Sequence, residues 1–284
     1  MTLICENEQE LSSATEKFAR INKEAWSRKT YEAWLKGNGT PRELAEQLRR
    51  NPEKKSAPFQ AWLGDVRGRR IANLLGSNGK MAVSLALQGA DVTVVDISPE
   101  NARYAMELAE AAEVNIRYVV SDVMSIPEDE RPADCDFVVM ELGILHWITD
   151  LNRFFQLVFG MLRDGGRVIL RDFHPVHRKL LRWEDGRMTA SGNYFDDSCH
   201  LGAVPYAHLL SESEQSELTV AVTRGWTMGE IVTAVAQSGL IIRALHEESG
   251  PIQRWVFPTE APDSIADRLP GIYTLVADRM KQCN

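Results

Sequence analysis

Arg70-Ile-Ala-Asn-Leu-Leu-Gly-Ser-Asn-Gly79 decides the reading of this 284-residue chain, because the apolar-periodic run Lys80 to Gly89 and then Asp91-Val-Thr-Val-Val-Asp96 follow it directly. That order predicts a buried strand, a tight glycine turn, a helix and a second buried strand ending in a carboxylate. Glycine lets the backbone approach a ligand closely, and a carboxylate about twenty residues on can accept both hydroxyls of a ribose. The unit points to a ligand that contains adenosine.

The alternation continues downstream. Ser98-Pro99 opens a helix to about Ala112, and Ile116 to Val120 and Phe137 to Met140 read as the third and fourth strands. A helix over Leu151 to Arg163 leads through the turn Asp164-Gly-Gly166 to a fifth strand, Arg167 to Arg171. Thr227-Met-Gly-Glu230 is a capping box for the helix Ile231 to Ser238, which Gly239 ends. Two more strands follow, Ile241 to His246 and Ile272 to Ala277. The pattern predicts an α/β fold, a Rossmann-like seven-stranded and mostly parallel sheet with helices on both faces.

Two segments stand outside this rhythm. Residues 1–68 read as an N-terminal helical cap, with Thr40-Pro-Arg-Glu43 as a capping box and proline at the first helical position. Phe18, Ile21, Ala25, Trp26, Tyr31, Ala33 and Trp34 form an apolar stripe at helical spacing, read first as core packing and second as a cover over a ligand. Within the main domain, 69–284, residues 173–226 hold His174, His177, Trp183, Tyr194, Asp196, Asp197, His200, Tyr206 and His208 without a clear period before Leu218-Thr-Val-Ala-Val222. So long a loop predicts a lid or substrate-binding insertion.

Composition narrows the partners. A formal net charge of -8 disfavours a nucleic-acid backbone, although Arg42, Arg49, Arg50, Lys54, Lys55, Arg67, Arg69 and Arg70 lie close together. That run reads first as a solvated face. Cys5, Cys135, Cys199 and Cys283 show neither disulfide nor zinc spacing, as expected of reduced thiols in a cytoplasmic protein. Met1-Thr-Leu-Ile-Cys-Glu-Asn-Glu8 lacks a basic region and a long apolar core, so no secretory leader and no membrane partner are expected. His174-Pro-Val-His177, Asp196, Asp197, Cys199 and His200 match no familiar ligand spacing, and Pro175 argues against a helix through the histidine pair, so no metal site is expected.

On these residues the chain resembles the class I S-adenosylmethionine-dependent methyltransferases of the small-molecule, ubiquinone-methyltransferase-like kind, over about residues 69–278. The pattern Asn-Leu-Leu-Gly-Ser-x-Gly, Asn73 to Gly79, and the ending Leu269-Pro-Gly-x-Tyr-Thr-Leu275 are similar to those of uncharacterised bacterial members. The resemblance implies S-adenosylmethionine as cofactor and S-adenosylhomocysteine as product. In the family the first loop runs acid-x-Gly-x-Gly-x-Gly. Here Asn73 takes the acidic slot, Leu75 and Ser77 take the first two glycine slots, and Gly79 takes the third, with Gly76 one position away.

By the same resemblance, Asp96 with Ile97 takes the ribose, Asp122 the adenine amino group with Val123 as a backbone contact, and Glu141-Leu-Gly-Ile-Leu-His146-Trp147 lines the sulfonium. His146 is the first candidate for a general base or substrate-orienting group, since imidazole accepts a proton near neutral pH. His174, just after the fifth strand, is the second. Tyr31, Trp34, Trp147, Tyr194 and Tyr206 are candidates for closing the site. The expected reaction moves a methyl group to oxygen or nitrogen of a small-molecule acceptor, in a protein whose oligomeric state is open, a homodimer included.

Three other classes compete. The basic stretch supports an RNA methyltransferase, and the altered glycine loop supports a binder that has lost turnover. A nicotinamide oxidoreductase is disfavoured because Asn78 and Met81 stand where the second and third glycines of Gly-x-Gly-x-x-Gly would fall after Gly76.

Overall fold

The computed structural model describes residues 8–281. Cys5, Cys283 and the sequence reading of residues 1–7 lie outside the described residues. The chain opens with α1 (Glu8–Trp26), α2 (Thr30–Asn38), α3 (Pro41–Arg50), α4 (Glu53–Ser56) and α5 (Gln60–Leu63). The start of α3 follows from local chemistry: the Thr40 hydroxyl accepts the Glu43 N–H, and the Glu43 carboxylate accepts the Thr40 N–H at 2.8 Å.

Then come β1 (Arg70–Leu74), α6 (Lys80–Leu87), β2 (Asp91–Asp96), α7 (Pro99–Ala112), β3 (Arg117–Val120) and β4 (Cys135–Glu141). After these, α8 (Leu151–Met161) feeds β5 (Leu162–Phe173). The segment after β5 contains the hairpin β6 (Arg182–Glu184) and β7 (Arg187–Thr189), followed by β8 (Cys199–Gly202), α9 (Glu212–Gln215) and β9 (Ala221–Arg224). Last are α10 (Met228–Gln237), β10 (Ile241–Glu247) and β11 (Ile272–Asp278).

Seven strands form one sheet in the order β10-β11-β5-β4-β1-β2-β3, and only β11 runs antiparallel to its neighbours. The strand order reverses between β1 and β4, so the loops after these strands border the crevice where open α/β sheets bind ligands. Both faces are covered, which is why β1 and β4 are nearly continuous apolar runs. One face packs Ala72, Leu74, Val138 and Met140 against Phe154, Phe155, Val158 and Val235 of α8 and α10. The other packs Ile71, Val92 and Val94 against Leu85, Tyr104 and Leu108 of α6 and α7. Full burial of each such side chain contributes about 1.5–3 kcal/mol.

The N-terminal helices divide between two layers. Leu44, Leu48, Phe59 and Leu63 of α3 to α5 share the core with Ile71 and Leu85, whereas Ala25 and Ala33 of α1 and α2 pack with Val204, Tyr206, Leu210 and Ala221. Asn22 anchors this outer layer, donating to the Val222 carbonyl at 3.0 Å and accepting the Val222 N–H at 2.8 Å. The helix expected to reach Arg163 ends at Met161. Gly165, at φ +75°, and Gly166 shape the turn back into the sheet, and a Cβ on Gly166 would lie 2.7 Å from the Cys135 carbonyl. In the segment after β5, β6 pairs with β7 and β8 with β9, both antiparallel. Among the described residues no helix is long and apolar enough to cross a membrane.

Candidate active site

The turn after β1 keeps its shape without the expected glycines. Leu75, Ser77 and Gly79 all take left-handed backbone angles, with φ of 48°, 50° and 73°. In the first two, a side chain sits where glycine would be unstrained. Gly76 is needed for space instead, since a Cβ there would come within 2.7 Å of both Asn73 Oδ1 and a Val94 methyl. Asn73 donates through Nδ2 to the Val139 carbonyl at 3.2 Å, while its buried Oδ1, beside the turn, has no hydrogen-bond partner among the described residues.

Asp96 ends β2 almost buried. Its carboxylate accepts the Ser77 N–H at 3.0 Å, the Ser98 N–H at 2.9 Å and the Asn101 side-chain amide at 3.0 Å. Burial pushes this carboxyl above its ordinary range, against the pull of the three donors. A carboxylate has about four acceptor positions, so one remains for a ligand hydroxyl. Trp34 of α2 donates to Asn101 Oδ1 at 2.7 Å, and the Ser98 hydroxyl donates to the Trp26 carbonyl, so the outer helices touch the partners of Asp96. Ile97 is half-buried between Asp96 and Ser98. Asp122 is half-buried and caps the turn Val123–Ser125 by accepting from Met124 N–H at 3.1 Å and the Ser125 hydroxyl at 3.2 Å, while Val123 packs into the core.

Glu141, at the end of β4, accepts from Lys55 of the N-terminal segment, with Arg171 3.9 Å away. The loop after it carries His146 and is pinned from two sides. Asp172 accepts the backbone N–H groups of Gly143 at 2.6 Å, Ile144 at 3.1 Å and Leu145 at 3.0 Å, besides that of Phe173 at 2.8 Å. From the other side, Trp226 Nε1 donates to the carbonyls of Leu145 and Ile148, each at 3.0 Å. His146 faces a cavity of about 30 Å³ whose wall includes Asp172, Phe173, Arg178, Trp226 and Tyr273. Burial, helped by the nearby Arg178 charge, holds its imidazole well below the ordinary range, so the ring is neutral at pH 7. The Tyr273 hydroxyl is buried without a hydrogen-bond partner among the described residues.

The structure separates the two histidine candidates. His174 accepts the Val176 N–H on Nδ1 at 3.1 Å, and its Nε2 lies 2.8 Å from Glu247 Oε1, so both ring nitrogens are engaged within the fold. Pro175 lies just ahead of the π-helical turn Val176–Leu180 and does not interrupt it. His177 packs edge-on against Phe257, and His200 meets Asp196 at 2.9 Å.

Among the aromatic candidates, Trp34, Trp147 and Tyr206 come together around Trp26 of the apolar stripe, with ring centroids 5.2 to 6.3 Å apart between contacting pairs. Tyr31 instead donates to Glu107, and Tyr194 accepts the Met228 N–H at the start of α10. Asp172, Trp226 and Tyr273 escaped the sequence reading. Asp172 carried a usable signal, an acid at a strand's C-terminal end like Asp96.

Residues 75–170 match the family model described as a methyltransferase domain. Over those residues the chain carries a methyltransferase domain. The chain is similar to the crystal structure of an S-adenosylmethionine dependent methyltransferase from Mesorhizobium loti, with a TM-score of 0.61, 24% identity, and coverage of 80% of this chain and 98% of that one. It is 24% identical over 123 residues to a ubiquinone/menaquinone biosynthesis C-methyltransferase of Pectobacterium atrosepticum, which is 41% of this chain and 48% of that protein. It is 26% identical over 115 residues to the tRNA 5-carboxymethoxyuridine methyltransferase of Escherichia coli, which is 39% of this chain and 42% of that protein. The chain therefore matches less than half the length of these two curated relatives.

Proposed function

We propose that this chain transfers a methyl group from S-adenosylmethionine to an oxygen or nitrogen of a small molecule. The observation that carries this reading is the narrow cavity of about 30 Å³ that His146 faces, with Asp172, Phe173, Trp226 and Tyr273 on its wall. Its size admits only a small reacting group to the histidine.

The rim suits the cofactor. Asn73 Oδ1, buried and unpartnered among the described residues beside the left-handed turn Leu75 to Gly79, would accept from the amino group of the methionine end, with Gly76 and Ser77 giving close backbone approach and Glu141 nearby. Asp96 has one acceptor position left for a ribose hydroxyl, next to Ile97, and Asp122 with Val123 would border the adenine. When bound, the cofactor supplies an electrophilic methyl carbon on a sulfonium. The protein's part is to orient and to exclude water, which can provide several kcal/mol of the barrier. His146, neutral and facing the cavity, can accept the proton released by a hydroxyl or amine acceptor.

A nucleic-acid acceptor is the second reading, supported by the similarity to the tRNA-modifying enzyme. Against it, the basic stretch is largely neutralised. Arg42 and Arg50 pair with Glu46, Arg49 with Glu113, Lys55 with Glu141 and Arg69 with Asp136. Cations already paired have little left for phosphates. Incubation of the protein with methyl-labelled cofactor, small-molecule extract and total tRNA decides between them. Label in the small-molecule fraction supports the proposal, label in tRNA replaces it with the second reading, and cofactor binding without any labelled product marks a non-catalytic binder.

A further inference from the structure

A groove of about 470 Å³ lies beyond the His146 cavity, between the turn Val176–Leu180, the hairpin β6–β7 and residues 256–258. Leu181, Trp183, Met188 and Phe257 give it apolar walls, and Arg178 and Arg182 give it charge. Arg178 lines both the groove and the inner cavity. Phe173 stands between this arginine and His146: the Arg178 guanidinium lies 5.7 Å from that ring's centroid, and a Cβ on Gly143 would lie 3.7 Å from Phe173 and 3.2 Å from His146.

The two arginines are exposed, and among the described residues neither has a carboxylate at ion-pair distance, in a chain with 40 acidic and 32 basic side chains. Arg182 spends one nitrogen on the carbonyls of Arg178 and Leu181, at 3.3 and 2.8 Å. The acids near them are engaged elsewhere: Asp172 by four backbone N–H groups, Glu184 by the hydroxyls of Thr189 and Ser191. His177, on the same wall, has a buried Nδ1 with no hydrogen-bond partner among the described residues. A volume of several hundred Å³ suits a small organic ligand, and an uncommitted arginine fork suits a planar or tetrahedral oxyanion.

We propose that this groove takes the methyl acceptor, and that the acceptor is an apolar molecule bearing a carboxylate or phosphate group gripped by Arg178 and Arg182. This rests on the methyl-transfer reading and names its substrate class. The apolar body lies along Trp183, Met188 and Phe257, and the reacting end points past Phe173 toward His146.

Octanoate, octyl phosphate and octanol, titrated against the protein with S-adenosylhomocysteine present, test this through Trp183 fluorescence, with Trp183→Phe as the optical control. At least one anionic probe binds tenfold or more tightly than octanol, and the stronger of the two identifies the oxyanion. Arg178→Gln and Arg182→Gln each remove that preference, Arg178→Lys restores part of it, and octanol affinity stays unchanged in all three. Equal affinities, a preference that survives both glutamine variants, or no binding of any probe overturns the proposal. Calorimetry with S-adenosylhomocysteine alone is read separately: failure there removes the methyl-transfer reading and leaves the groove's selectivity to stand or fall on its own titration.

Discussion

The Asp172 carboxylate lies 2.6 Å from the backbone nitrogen of Gly143, and so ties the end of β5 to the loop that carries His146. Ile144 and Leu145 direct their N–H groups to the same side chain. Asp172→Asn leaves one good acceptor oxygen and turns an NH2 toward these donors. Chemical denaturation is expected to show a loss of about 2–4 kcal/mol, the scale of stranded buried donors around a lost charged acceptor. Turnover should fall further than cofactor affinity, because the loop holding His146 slackens.

The first turn gives two opposite outcomes. Gly79→Ala combines φ of +73° with a Cβ 2.5 Å from that of Ala105, and should cost more than about 2 kcal/mol. Ser77→Gly relieves a left-handed serine and should gain up to about 1 kcal/mol, less the added freedom of the unfolded chain. The midpoints of urea transitions at unchanged slope measure both. A Ser77→Gly variant that is less stable than the parent would sink the strain assignment.

Asp96→Ala removes an acceptor shared by Ser77, Ser98 and Asn101. Affinity for S-adenosylhomocysteine should drop by roughly tenfold or more, about 1.4 kcal/mol. Stability should drop with it, since the same carboxylate holds the turn. Calorimetry paired with a melting curve checks the two together, and loss of affinity with an unchanged Tm would contradict the geometry.

Three histidines weaken the fold on the acid side. Burial lowers the imidazoles of His146 and His174 and brings that of His177 to about 4. Each is depressed in the folded state, so its contribution is complete above the unfolded value near 6.5 and is lost as pH falls toward the folded value. Tm should therefore decline from about pH 6.5 down to about pH 4. His177→Gln should flatten that decline by at most about 1.4 kcal/mol per pH unit, the equivalent of one proton. An unaltered profile would show that His177 titrates freely.

Much of the framework was readable from local patterns. The capping boxes Thr40/Glu43 and Thr227/Glu230, the strand β2 ending in Asp96 and the final strand near Ile272 all lie where the residues suggested. Each depends on partners a few residues away or on periodic burial. Boundaries shifted where packing intervened, as at Met161, where the pairing of β5 with β4 claims residues that also suit a helix. The left-handed angles at Leu75 and Ser77 were unreadable, because neither side chain advertises them.

The sequence by itself determined the sheet, the order of its helices and the acids at its rim, since hydrophobic period and capping are written over short distances. Tertiary structure alone decided which histidine faces the cavity and which is engaged within the fold. It also decided that Asp172 organises a loop 27 to 29 residues earlier in the chain, and that α1 and residues 204–221 form one cover. These depend on contacts between distant segments, whose partners become defined only when the strands pair and the layers close.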